Sequence, residues 1–435
     1  MSVLKLAYRL LCEYESSGRY VNLLLNSPAV SALSEGDRQK LTALLYTAVE
    51  GKIRYDYYIS ALSKRGIGEI SENVRNILRL GLCQICDIKS IPDYAAVNES
   101  VKLAQSPAER SFINGVLRAA VREKGGLPLP DKDKNYLRYL GVKYSYPLWM
   151  VKRLSKQYGD ECEDILGAMN SRPPLTLLVN TNKIGRDDYI NELRLRGVSA
   201  EKTEYSTLGV RVFGVQGPKS LYGFDEGLIY VQDEASQLAA LALGAGAGDR
   251  IIDVCAAPGG KSIAAAISAG DECEIFAFDS HEGKIRLIEE SAARLALKSV
   301  KAAARDARKP DEALYETADR LICDVPCSGL GVISKKPDLR YKDEESISAL
   351  PELSLEILES SVSYLRPGGV AVFSTCTVLY EENEAVFSEF IRRHEEFAPV
   401  DFAFGELQSR GGMMTLLPNR HKTDGFFIAK MRKNK

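Results

Sequence analysis

The chain has 435 residues, 45% hydrophobic and 27% charged, a globular, soluble balance too long for one ordinary core. Its net charge of −2 excludes a globally basic nucleic-acid coat, although Lys and Arg can still cluster on one face. No segment approaches the apolar length of a membrane span, and Met1-Ser2-Val3-Leu4-Lys5 lacks a signal-peptide core, so a cytoplasmic protein is expected.

Residues 1 to about 122 read as helices. Apolar residues recur at Leu6, Leu10 and Leu11, at Leu41, Leu44, Leu45, Ala48 and Val49, and at Ile113, Val116, Leu117 and Ala120, the spacing of amphipathic helices. Cys83 and Cys86 form a C-x-x-C, but no second pair or nearby His accompanies it and its apolar setting is helical, so buried thiols are expected rather than metal ligands. The nine cysteines are an odd count, expected as reduced thiols. The stretch Gly125-Gly126-Leu127-Pro128-Leu129-Pro130 cannot continue a helix and reads as a linker. From about 140 to 230, strand patterns (176–180, 210–213) mix with a helix over 187–196 that stops at Gly197, a small α+β subdomain. The expected division is therefore an all-α domain over 1–130, the α+β subdomain over 140–230 and an α/β domain over 231–435.

In that last region apolar runs at 250–254, 275–279, 299–303, 320–324, 370–374 and 425–430 alternate with helical patterns. Such alternation predicts a mostly parallel sheet with helices on both faces. Open sheets of this kind place ligands past the carboxyl ends of their strands. Three loops stand there. The first is Cys255, Ala256, Ala257, Pro258, Gly259, Gly260 and Lys261. A triphosphate cradle would need a Gly at Cys255, and Pro258 removes a backbone donor; a dinucleotide loop would need G-x-G-x-x-G. S-adenosylmethionine fits better, because it has no pyrophosphate to grip and its carboxylate suits a helix N-terminus. Asp279, ending the next strand, can accept from ribose hydroxyls, and Asp306 from the adenine amino group.

The other two loops carry thiols: Asp324-Val325-Pro326-Cys327-Ser328-Gly329 and Ser374-Thr375-Cys376-Thr377. Beside a methyl donor, a thiolate that adds to carbon 6 of a pyrimidine makes carbon 5 nucleophilic; a base must later take the carbon-5 proton. Asp324 is placed to hydrogen-bond the ring nitrogen edge. Lys335, Lys336, Arg340 and Tyr341 follow the Cys327 loop and are candidates to hold phosphate. None of this chooses between the two thiols.

These motifs resemble the Sun-type RNA (cytosine-5)-methyltransferase family. The matching segments are Asp253–Lys261, Asp324–Gly329 and Ser374–Thr377, flanked by Val231–Ser236, Leu416-Leu417-Pro418 and Thr423–Phe427. The resemblance spans roughly residues 140 to 435; Leu330 departs from it where relatives often carry Thr. It implies a Rossmann-like methyltransferase sheet, Cys376 as nucleophile and Cys327 as the thiol that assists product release. The loop Cys255–Lys261 with Asp279, Asp306 and Asp324 would form the S-adenosyl-L-methionine site. Ser111-Phe112-Ile113-Asn114-Gly115-Val116-Leu117-Arg118 resembles a segment of NusB, an RNA-binding helical fold. A NusB-like domain ahead of this catalytic domain implies 16S ribosomal RNA as substrate. No metal, no membrane and a monomer are expected. The rival readings are a non-catalytic RNA-binding assembly factor, a cytosine-5 methyltransferase acting on another RNA such as tRNA, and a dinucleotide-dependent oxidoreductase.

Overall fold

The computed structural model describes residues 2–215 and 217–434. They form two compact units. One is the chain up to Asn170 together with Lys336–Lys342; the other is Ser171–Lys335 with the chain from Asp343 onward.

The first unit is helical, and its helices begin where the sequence supplies an acceptor. Ser2 Oγ accepts from Lys5 N at the head of Val3–Ser17, and Ser106 with Glu109 forms a reciprocal capping box ahead of Pro107–Arg122. The expected apolar stripes share one core: Leu6, Leu10 and Leu11 pack with Leu41, Leu44, Leu45, Ala48 and Val49 and with Ile113, Val116, Leu117 and Ala120. Each fully buried leucine is worth about 1.5–3 kcal/mol, which holds together helices too short to persist alone. Cys83 and Cys86 lie on the helix Glu72–Cys86, and burial pushes both thiols up. Past the irregular 125–130 segment, the helices Tyr136–Lys143, Leu148–Tyr158 and Cys162–Met169 carry the unit on to Asn170.

Lys336–Lys342 belongs to this helical unit although it follows the Cys327 loop in sequence. Arg340 is 0% exposed. It donates to the carbonyls of Glu50 and Ser145, each at 3.2 Å, and to Asn170 Oδ1 at 3.1 Å. Glu50 ends the helix Glu35–Glu50, so the guanidinium satisfies carbonyls that a helix C-terminus leaves unpaired. The Tyr341 hydroxyl donates to Val49 O at 2.7 Å. The expectation that Arg340 and Tyr341 hold phosphate is therefore corrected: both are committed to backbone carbonyls.

The second unit holds two main sheets. In the smaller, β1 (Leu175–Val179), β2 (Ser199–Lys202), β3 (Gly209–Phe213) and β4 (Ile229–Val231) run antiparallel in the order β2-β3-β1-β4, with the helix Arg186–Leu195 beside them. The larger contains β5 (Arg250–Asp253), β6 (Glu274–Asp279), β7 (Val300–Ala304), β8 (Ala318–Asp324) and β9 (Leu365–Thr375), all parallel. After β10 (Phe397–Pro399) and a short ribbon, β11 (Ala403–Phe404) with β12 (Leu407–Gln408), the chain returns as β13 (Met413–Leu416) and β14 (Phe426–Lys433). The order is β10-β14-β9-β8-β5-β6-β7, with β14 antiparallel to β9 and β13 paired to β14.

Both faces are covered, which explains why the strands read as near-continuous apolar runs. Ile251, Ile322, Val372 and Ile428 pack with Leu238 and Ile263 of the helices Glu234–Leu243 and Gly260–Ser268. Their neighbours Ile252, Leu321, Phe373 and Phe427 pack on the other face with Leu358, Phe387 and Phe390. The alternation follows the two-residue period of a strand.

Candidate active site

The strand order sets the location of the site. From β5 the chain builds outward through β6 and β7, then jumps back to β8 and on to β9, so the crevice opens at the carboxyl ends of β5 and β8. Those ends are Asp253 and Asp324. A cavity of ≈ 200 Å³ lies there, walled by Tyr230, Gln232, Asp233 and Ser236 on one side and by Asp253, Cys255–Pro258, Gly260, Lys261 and Asp324 on the other.

The loop after β5 is held by its backbone. Ala256 N donates to Phe278 O at 2.7 Å and Gly259 N to Ala256 O at 2.6 Å. Gly259 has φ 105°, open to glycine and strained for other residues, and an added Cβ would lie 3.3 Å from Ile288 Cγ2. The chain then enters the helix Gly260–Ser268, whose N-terminus borders the cavity. Lys261 Nζ pairs with Asp324 Oδ2 at 2.6 Å and lies 3.3 Å from Ser236 Oγ. Ser262 Oγ donates to Asp253 Oδ2 at 2.7 Å. Burial nonetheless pushes the Asp253 carboxyl up to about 7, since no cation compensates the lost hydration fully. Burial also keeps the Cys255 thiol protonated.

Two buried acceptors of cavity-lining residues, Asp253 Oδ1 and Gln232 Oε1, have no hydrogen-bond partner. A ligand with an ammonium group satisfies such orphans, and the helix N-terminus favours a carboxylate. The residues present thus fit the amino-acid end of S-adenosylmethionine.

Asp324 connects this cavity to the thiols. It ends β8 three residues before Cys327, and it accepts from Ser374 Oγ, two residues before Cys376, at 2.8 Å. β8 and β9 are paired neighbours, which brings Cys327 Sγ and Cys376 Sγ to 3.4 Å. Both cysteines are half-buried. The hydrogen bond from Cys376, then burial, pushes the Cys327 thiol well above its ordinary value. Gly331 locks the Cys327 loop against its neighbours: its N–H donates to Cys376 O and its carbonyl accepts from Gly425 N, each at 2.9 Å. A Cβ at Gly331 would lie 1.9 Å from Gly425 O.

Cys327, Cys376, Asp324 and the Cys255–Lys261 loop therefore converge on one sheet edge. Asp279 ends β6 and accepts from His281 N at 3.0 Å, with Lys284 Nζ 3.6 Å away. Asp306 pairs with Arg308 at 2.8 Å, which holds its carboxyl below the ordinary range. Neither lines the cavity described above. Lys335, a candidate phosphate ligand, instead bridges Asp233 at 2.7 Å and Asp424 at 2.6 Å. Sequence reasoning assigned no role to Tyr230, Gln232 or Ser236. Gln232 and Ser236 fall within the Val231–Ser236 segment that resembles the family, and the signal for Tyr230 is the short apolar run Ile229-Tyr230-Val231 ahead of the helix cap Asp233. Among the described residues no group of three or more His, Cys, Asp or Glu side chains could hold a metal, and no helix is long and apolar enough to cross a membrane.

Comparison with known proteins extends this geometry. Residues 240–432 match the family described as 16S rRNA methyltransferase RsmB/F, residues 1–122 the NusB family, and residues 146–215 the ferredoxin-like domain of RsmF/B-like methyltransferases. The chain is 36% identical to the probable ribosomal RNA small subunit methyltransferase B of Bacillus subtilis (strain 168), across 99% of each chain. The fold is similar to the crystal structure of PH0851, with a TM-score of 0.81 at 26% identity over 100% of this chain and 99% of that one. It is also similar to NSun6 from Pyrococcus horikoshii, solved with the S-adenosylmethionine analogue SFG, with a TM-score of 0.58 at 25% identity over 65% of this chain and 97% of that one. With its Rossmann-like sheet, NusB-like helical unit and S-adenosylmethionine as cofactor, the chain belongs to the ribosomal RNA small subunit methyltransferase B family.

Proposed function

We propose that this enzyme methylates carbon 5 of a cytosine in 16S ribosomal RNA through a covalent Cys376–cytosine intermediate. The relatives' names supply the RNA, and the thiol pair beside the cavity supports the chemistry. Cys376 Sγ adds to carbon 6 of the ring, and the electron pair displaced onto carbon 5 makes that carbon nucleophilic. The cofactor, when bound, supplies an electrophilic methyl group. Cys327, 3.4 Å from Cys376, then takes the carbon-5 proton, and the carbon 6–sulfur bond breaks to release the product. Asp324 holds the ring nitrogen edge while Lys261 and Ser374 fix its carboxylate. The loop Cys255–Lys261, with Asp253 and Gln232, would hold the amino-acid end of the cofactor, and Asp279 and Asp306 would accept from its ribose hydroxyls and adenine amino group. The protein acts as a monomer, without a metal, in the cytoplasm.

The observation that carries this reading is the contact of the two sulfurs at the carboxyl ends of adjacent parallel strands. Cys376→Ala is expected to abolish methyl transfer to ribosomal RNA and leave cofactor binding by calorimetry unchanged. Cys327→Ala is expected to accumulate a denaturation-resistant protein–RNA species. Normal release of methylated RNA by Cys327→Ala would refute this division of labour. Bisulfite sequencing of ribosomal RNA from cells lacking the protein identifies the cytosine.

A further inference from the structure

Glu382 is a carboxylate with no part in the chemistry above, yet it is only 1% exposed. A charge at that depth persists only when its oxygens are hydrogen-bonded. Those of Glu382 address the two cysteine loops separately. Oε2 accepts the backbone N–H of Ser328, the residue after Cys327, at 2.6 Å. Oε1 accepts the hydroxyl of Thr377, the residue after Cys376, at 3.2 Å. Ser328 Oγ donates to Thr377 Oγ1 at 2.8 Å and closes the ring. Asn383 secures the same turn, accepting from the Thr375 hydroxyl and donating to Thr377 O at 3.0 Å. Cys376 is thus bracketed by two threonines whose hydroxyls are both committed.

We propose that Glu382 is a positioning residue for the thiol pair, clamping the two loops in register and setting a carboxylate beside the loop of Cys327, the sulfur that takes up the carbon-5 proton. The proposal rests on the assignment of both thiols to the methyl-transfer reaction. Cys376, Glu382 and Asp324 all act on Cys327, with Lys261 paired to Asp324 at 2.6 Å, and both carboxylates oppose negative charge on that sulfur. The clamp supplies geometry through Thr377 and Ser328, and the carboxylate supplies charge.

These contributions separate in two variants. Glu382→Gln keeps the size and removes the charge; Thr377→Val keeps the charge and removes one arm of the clamp. Alkylation of the full-length protein by iodoacetamide, followed cysteine by cysteine by mass spectrometry across pH, reads the thiols without RNA. In Glu382→Gln, Cys327 is expected to react about tenfold faster at a given pH below its pKa, because the repelling charge is gone. In both variants kcat for methyl transfer is expected to fall about tenfold, with cofactor affinity by calorimetry unchanged. A Cys327 alkylation profile in folded Glu382→Gln that superposes on the wild type, or an unchanged kcat in both variants, overturns the proposal. If Glu382→Gln no longer binds the cofactor, Thr377→Val decides alone: a lowered kcat supports the clamp and an unchanged one overturns it. The alkylation profile stands whatever base is methylated, so its outcome is distinct from failure of the cytosine assignment.

Discussion

Asp253 pays a cost that its position explains. It ends β5 at the crevice, fully buried, with one oxygen held by Ser262 and the other without a partner. Burial raises its carboxyl from 3.8 to about 7. Between those values the folded chain keeps a proton that the unfolded chain has released, so this group's contribution to stability falls as pH rises through that window. Asp253→Asn removes the titration. Its stability relative to wild type is expected to rise between pH 5 and 7 by about 1.4 kcal/mol per pH unit, measured by urea unfolding of the cofactor-free protein. Curves that stay parallel across that range would remove the pH argument. The penalty is what a ligand ammonium at this site would offset. The motif Asp253–Lys261 marked this stretch of sequence as a cofactor loop, but an Asp at a strand end reads equally as a turn residue. Only the burial of its orphaned oxygen separates the two.

Among the elements, the short turn Pro337–Tyr341 is the least expected. Its arginine closes the C-terminal ends of two helices, Glu35–Glu50 and Tyr136–Lys143, through the carbonyls of Glu50, Tyr144 and Ser145, and its guanidinium stacks 4.5 Å from the Tyr146 ring. Arg340→Met takes the guanidinium donor from Ser145 O, at about 1–3 kcal/mol for a buried acceptor left unsatisfied, while Glu50 O keeps the Tyr341 hydroxyl at 3.4 Å and Tyr144 O the Asn170 amide at 2.7 Å. The helical unit is expected to lose about 1–3 kcal/mol, read by chemical denaturation with circular dichroism. A loss below 1 kcal/mol would place the stability of this turn elsewhere. The strands differ in how well their composition announces them. β5, β8 and β9 were legible because both faces are buried, which demands uninterrupted apolar residues. Ser199-Ala200-Glu201-Lys202 forms β2 with three of its four residues exposed, held by pairing with β3, and nothing in its composition signals a strand.

At the scale of the whole molecule, every residue lining the cavity lies in the second unit. A cofactor at 100 times its Kd stabilises what it binds by about 2.7 kcal/mol. Added S-adenosylmethionine is therefore expected to slow amide exchange around 253–268 and 324–328 and to leave the helices up to Met169 unchanged. Equal protection in both units would contradict this placement. The helical and α/β regions, the ends of the central strands, and hence the meeting of the Cys255 loop with the two thiol loops, were determined by the sequence itself. Helical periodicity, apolar runs and loop residues are local properties, and strand ends converge in any parallel sheet. Side-chain partners were decided only by tertiary structure. Arg340 reaches a carbonyl 290 residues away, and Glu382 an N–H 54 residues away. A guanidinium donates equally well to a phosphate or a helix end, and a carboxylate accepts equally well from water or a buried amide. The choice is made by what the fold brings within 3 Å, and no local pattern of residues records it.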